Sequence, residues 1–106
     1  MDAKKRKRLE AAGFAVGSAA EFLDLSPAEA ALVDMRLALS AALRERRTAA
    51  GLTQAALARR VGSSQSRVAK MEAGDPSVSL DLLVRALLAA GASRREVGQA
   101  VARRVA

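Results

Sequence analysis

Four glycines, at 51, 62, 74 and 91, cut the second half of the chain into short aliphatic segments, and a serine or threonine opens most of those segments. Both marks are helix punctuation. A glycine just past the last turn adopts the left-handed conformation that ends a helix, and a hydroxyl just before the first turn accepts one of the unpaired amides there. A chain marked this often reads as a series of separate helices. Three openings carry a second signal, because Ser18, Ser26 and Ser93 each stand three residues before a glutamate, Glu21, Glu29 and Glu96, the spacing of a reciprocal capping box. Pro27 follows Ser26, where its missing N–H is lost at no expense; Thr53 and Ser79 read as single caps. The predicted helices lie near 19–24, 27–49, about 53–60, 64–73, 80–90 and 94–104. Nothing local decides whether the second is continuous or broken near Leu39–Ser40. The one strand signal is "GFAVG" at 13–17, a short edge strand at most. The expected fold class is all-α: a compact bundle of about five to six helices, preceded by an N-terminal helical extension.

The side chains available narrow the chemistry. Apolar residues make up 51% of the 106 and aromatics 2%, with no Trp, Tyr, His or Cys. Ala, Leu and Val suit small helices packed closely. Without Cys there is no disulfide framework, and without Cys or His no ordinary zinc site. Lacking an imidazole base or a thiolate, the chain offers poor material for an enzyme. A Ser66–Lys70 pair has workable i,i+4 spacing, but nothing depresses the lysine on an exposed helix. The serines mostly fall at caps and turns, and the glycines stand singly rather than as a phosphate loop. No catalytic residue, metal or cofactor is expected. No run approaches a membrane span of about 20 apolar residues, and "LEAAGFAVGSAAEFL" is too interrupted for a signal peptide; the expected location is the cytoplasm.

Charge is distributed unevenly around the net of +7. Residues 1–10 hold five basic and two acidic side chains, and residues 11–43 hold one arginine against four acids. Residues 44–70 then carry seven basic side chains with Glu45 as the sole acid. A field of one sign gathered on one stretch favours a polyanionic partner, although a solvated basic face would have the same composition.

The segment "GLTQAALARRVGSSQSRVAKMEAG", residues 51–74, shows where that field points. At about 100° per residue, Gln65, Ser66, Ala69 and Lys70 share one side of a helix and Val68 and Met71 take the other. The apolar side can dock on Leu57, Ala58 and Val61 of the preceding helix. The other side suits a major groove: glutamine can bridge adenine N6 and N7, lysine can reach guanine O6 and N7, and an alanine methyl can touch thymine. Arg67 lies on the flank, better placed for phosphate than for a base. Helix starts at Gln54 and at Ser64–Gln65 turn backbone amides toward an anion.

These residues resemble the helix-turn-helix of the XRE (lambda repressor/Cro-like) superfamily. The shared features are L-T-Q opening the first helix, A-L-A in its middle, glycine at the turn, S-Q-S opening the second and M-E-x-G closing it. "PSVSLDLLVRALLAAG" is similar to that family's next helix, so the likeness spans residues 43–91. It implies that Gln65, Ser66 and Lys70 face bases, that Gln54, Ser64 and Arg67 hold the backbone, and that Arg47 pairs with Glu72, a residue beside Val68 that burial would penalise without a cation. Ser63 departs from the apolar residue common at its position, and Ala73 from a frequent Asn. Partners implied are a double-stranded DNA operator and a second copy of the chain, since one such unit covers few base pairs; Leu83, Leu87, Val97 and Val101 are candidates for a dimer face or for core.

The expected organisation is a basic mobile arm at 1–8, a helical extension at 9–36 and the DNA-binding domain at 37–106. The extension is acidic and holds both aromatics, Phe14 and Phe22, which with Leu23 are candidates for a partner-binding patch or a simple cover for the domain. It resembles, more loosely, the leading region of HigA-type antitoxins, which are paired with RelE/HigB-like ribonuclease toxins. That implies a basic toxin as partner and a bacterial, nucleoid-associated repressor that regulates its own operon. The alternatives are a free-standing phage-type or general regulator, and an interaction module that has lost DNA.

Overall fold

A computed structural model describes residues 25–103. The arm at 1–8, the 13–17 strand, the helix near 19–24 with its Ser18–Glu21 cap, and Phe14, Phe22 and Leu23 all lie outside the described residues. Within them the chain forms α1 (Pro27–Ala49), α2 (Gln54–Val61), α3 (Gln65–Ala73), α4 (Leu80–Ala89) and α5 (Arg94–Ala102), with no strand among the described residues. The fold is all-α.

Local chemistry sets the helix boundaries. Ser26 accepts the amide of Glu29 at 3.2 Å while the Glu29 carboxylate accepts the amide of Ser26 at 3.3 Å, and Ser93 and Glu96 repeat the exchange at the start of α5. Thr53, Ser64 and Ser79 each cover a single amide, at 3.0, 3.2 and 3.1 Å. Satisfied donors of this kind are worth about 1 kcal/mol each. α2 ends at Gly62, whose φ of +75° lets the amide of Ser63 turn back to the carbonyl of Ala58 at 2.8 Å. α3 ends the same way at Gly74, with the amide of Asp75 on the carbonyl of Lys70.

α1 runs unbroken for 23 residues. Leu39 and Leu43 are fixed in the core on either side of Ser40, which holds the register through the position where a break was conceivable. α5 is shorter than its pattern predicts. It stops at Ala102, and Arg103 turns into extended backbone while its guanidinium reaches Glu45 on α1 at 3.2 and 3.3 Å.

The core is aliphatic and continuous. Leu39 and Leu43 of α1 meet Leu57 and Ala58 of α2, Val68 and Met71 of α3, and Leu83, Ala86 and Leu87 of α4, with Val78 closing one end. Ala90, Ala92 and Ala100 are buried too, and their small size lets α5 approach α1 and α4 closely. Leu83 and Leu87 are 0% and 2% exposed, so they serve the interior and cannot form a dimer face; Val97 and Val101 are partly buried against the same core. All the fully buried side chains of α1 lie at or after Ala38, leaving its first turns, with the exposed Leu32, outside the core. Among the described residues no helix is long and apolar enough to cross a membrane.

Candidate nucleic-acid interface

α3 presents two chemically opposite sides. Val68 and Met71 are completely buried and lock the helix onto α2 and α1, whereas Ser64, Gln65, Ser66, Arg67 and Lys70 are exposed. No other described element lies over that outer side. The two cations on it face no carboxylate of their own helix, because Glu72 points to the rear. Asp75, which follows α3, is turned into its own loop. Its Oδ1 accepts the amide of Ser77 at 2.8 Å, and those bonds from Ser77, with help from nearby Lys70, hold its carboxyl below the usual range. The first amides of α3, those of Gln65 and Ser66, have no partner within the helix by the geometry of any helix start, so they add positive potential at the same end.

Behind that surface runs a chain of polar contacts from α1 to α3. Arg47 donates from Nε to Glu72 Oε2 at 2.5 Å and from Nη2 to Oε1 at 3.0 Å, while its Nη1 holds the carbonyl of Leu52 at 2.9 Å. The side chains are 15% and 4% exposed, which makes this a mostly buried, two-pronged pair. The bonded carboxylate holds the Arg47 guanidinium above its ordinary range. Glu72 Oε1 also accepts the side-chain amide of Gln54 at 3.2 Å, and Gln54 Oε1 in turn accepts Gln65 Nε2 at 2.7 Å. Gln54, at the head of α2, is half-buried and Gln65 is exposed. The charge deep in the fold therefore fixes which way Gln54 faces, and Gln54 fixes Gln65. One N–H and the carbonyl oxygen of Gln65 are left for a ligand, a donor and an acceptor side by side.

A groove opens on the other flank of α3, lined by Ser64, Ser66, Arg67, Lys70, Ser77 and Val78. Ser64 Oγ and Ser66 Oγ lie 3.4 Å apart at one end. Ser77 and Val78 belong to the loop after α3 and form the wall that the sequence reading did not include. The "DPS" turn signal at 75–77 marks a loop there but carries no information about its distance from Arg67. The loop is held from α1 as well, where Arg36 Nε donates to the carbonyl of Val78 at 3.2 Å. At the end of α2, Arg59 and Arg60 are exposed and extend the basic surface.

The arrangement can offer anions two cationic heads, several hydroxyls and free helix-start amides, and can offer a base edge an oriented amide. Among the described residues no group of three or more acidic side chains could hold a metal. A family model for the helix-turn-helix domain matches residues 38–100, which takes in α2, α3, the turn between them and the supporting helices. No curated protein and no solved structure matches the chain.

Proposed function

The chain belongs to the helix-turn-helix domain family, and from that premise we propose that it is a sequence-specific DNA-binding transcriptional repressor of the XRE type. The observation that carries this reading is the outward, uncovered side of α3, where Gln65, Ser66 and Lys70 stand clear of the fold while Val68 and Met71 are buried behind them. In this reading α3 enters the major groove. Gln65, Ser66 and Lys70 read base edges, and Ser64, Arg67 and Gln54, with the helix-start amides, meet the phosphate backbone. Arg47 and Glu72 serve the frame rather than the ligand. The operator is an inverted repeat bound by two copies, and occupancy of the promoter is the repressing act.

The partner reading is finer still. We assign to the chain the role of an antitoxin that neutralises a basic ribonuclease toxin of the RelE/HigB kind through its acidic leading region. What supports this is the charge of residues 11–43, where four acids face one arginine, and the first turns of α1, which lie outside the family-matched domain and outside the core. The free-standing regulator is the rival, and the neighbouring reading frame separates them. An adjoining frame whose product arrests growth, with relief on co-expression of this chain, supports the antitoxin role; no such frame refutes it.

DNA binding itself is tested by fluorescence anisotropy on duplexes at two salt concentrations. A DNA-binding chain gives affinity that falls steeply between about 50 and 200 mM salt and selects a defined sequence from a randomised pool. Absence of binding at the lower salt sinks the proposal in favour of a protein-interaction module.

A further inference from the structure

We propose that Arg36 is a positioning residue for the DNA-facing groove, holding the loop after α3 so that Ser77 stands opposite Arg67 and Lys70. The inference rests on the DNA-binding reading above. Arg36 lies two residues before the family-matched region begins at 38, on the part of α1 that contributes no fully buried side chain. Its partner is 42 residues away, where Nε donates to the carbonyl of Val78 at 3.2 Å in a half-buried setting.

The loop needs such a fastening. Among the described residues, its bonds before Ser79 run within the loop or to the end of α3, apart from the one from Arg36, while Ser79 caps α4. The amide of Ser77 goes to Asp75 Oδ1, the amide of Val78 to the Asp75 carbonyl at 3.0 Å, and the amide of Asp75 to Lys70. Those bonds shape the turn but do not fix its distance from the outer side of α3. Val78 is 4% exposed and its side chain packs into the core, so the loop is anchored at this residue and its carbonyl is where α1 takes hold of the wall. A bond from α1 to that carbonyl sets the width of the groove. The occupant that fits beside Ser64, Arg67 and Ser77 is a backbone phosphodiester, because that part of the lining is one cation and two hydroxyls without a carboxylate, next to Ser66 and Lys70 on the base-reading side. The part of α1 that precedes the family domain thus reaches back to the DNA-reading surface, and the Arg36 bond is a contact through which whatever engages it acts on the groove.

The donor atom allows a clean test, because a glutamine places its Nε2 where arginine has Nε, and a methionine places a methyl there. In the full chain, Arg36→Gln keeps the tether and loses the charge, whereas Arg36→Met loses both. Two measurements are made: affinity for a fluorescein-labelled random-sequence duplex of about 30 base pairs across a salt series, and amide hydrogen exchange of Ser77 and Val78 without DNA. Arg36→Met is expected to weaken binding about three- to tenfold and to lower the salt slope by about one. Exchange at Ser77 and Val78 rises while that of α3 is unchanged, and Arg36→Gln stays near the unaltered chain in both assays. Equal losses in the two variants mean charge alone matters and overturn the proposal; so does unchanged loop exchange in Arg36→Met. Should Arg36→Met prove unfolded, Ser77→Ala probes the wall from the surface; it is expected to weaken binding with the salt slope unchanged, because the lost hydroxyl carries no charge, and unaltered affinity for it is equally fatal. Failure of the unaltered chain to bind the duplex counts against the regulator reading, while the exchange measurement still judges the tether.

Discussion

Gln65 on α3 donates its side-chain amide to the side-chain oxygen of Gln54 on α2 at 2.7 Å, and Gln54 is itself oriented by Glu72, which Arg47 neutralises from α1. Four residues on three helices thus determine how one exposed amide is presented. An amide free to rotate can offer a donor or an acceptor at either position; one held in this way offers a fixed order of the two. Adenine displays an acceptor and a donor on its major-groove edge, and only the matching order reads it bidentately.

Gln54→Ala should therefore mimic the loss of Gln65 without touching DNA at that base. Both Gln54→Ala and Gln65→Ala are expected to relax preference at the same base pair, each by about 1–3 kcal/mol against the best site. The double variant should cost less than the two losses combined, because the residues act as a unit. Titrations on the selected site and on single-base variants of it supply the comparison. Simple additivity, or equal loss on selected and random duplexes, would remove Gln54 from the reading of that base.

Arg67 lines the groove on the flank of α3, and under the proposed reading its effect should be blind to sequence. Arg67→Ala is expected to weaken selected and random duplexes alike and to reduce the salt slope by about one. The salt series decides it: a slope equal to that of the unaltered chain means that no phosphate contact was lost.

The Arg47–Glu72 pair makes a separate demand on stability. Glu72 is the more buried partner, and removing it leaves the guanidinium mostly enclosed and Gln54 without its acceptor. Glu72→Ala should lower unfolding free energy by about 3 kcal/mol, measured by urea denaturation with the slope m unchanged. A loss under about 1 kcal/mol would place the pair with surface ion pairs.

What the amino-acid order reveals here follows the range of each interaction. Caps at Ser26, Thr53, Ser64, Ser79 and Ser93 depend on residues three positions away, so the helix starts are legible, and the glycine ends are equally local. The two sides of α3 follow from its period. The Gln54–Gln65 bond and the Arg36 tether span 11 and 42 residues, the Ser77 wall meets α3 across a loop, and none of the three leaves a periodic trace. Leu83 and Leu87 show the other limit: an aliphatic stripe has the same pattern whether it meets its own core or a second chain.

Acidity should act through Glu96. Bonds from Ser93, backbone first and then hydroxyl, hold its carboxyl below the usual value, with Arg46 nearby adding to the effect. A carboxylate depressed in the folded state stabilises the fold above its unfolded value of about 4.3, and that stability is lost as pH falls through the lower, folded value. Unfolding midpoints of the unaltered chain and of Glu96→Gln should therefore differ most near neutrality and converge in acid. The site is exposed, so added salt should shrink the part due to Arg46. A gap independent of pH would mean that the carboxylate charge contributes nothing.

Gly74 and Gly62 end α3 and α2 with nearly the same backbone, φ of +72° and +75°, yet their surroundings differ. A Cβ at Gly62 meets nothing within 4 Å, whereas one at Gly74 comes within 2.9 Å of Leu37 Cδ2 on α1. Gly62→Ala should cost the left-handed conformation alone, about 1–2 kcal/mol. Gly74→Ala adds a shift of Leu37 against α3, for about 1 kcal/mol more, and that shift falls at the junction where α1 supports the end of α3. Trimming Leu37 distinguishes the two contributions. In a Leu37→Ala background the difference between the two glycine substitutions should vanish, each measured by denaturant unfolding. Persistence of the difference there would show that the close approach to Leu37 is not its cause.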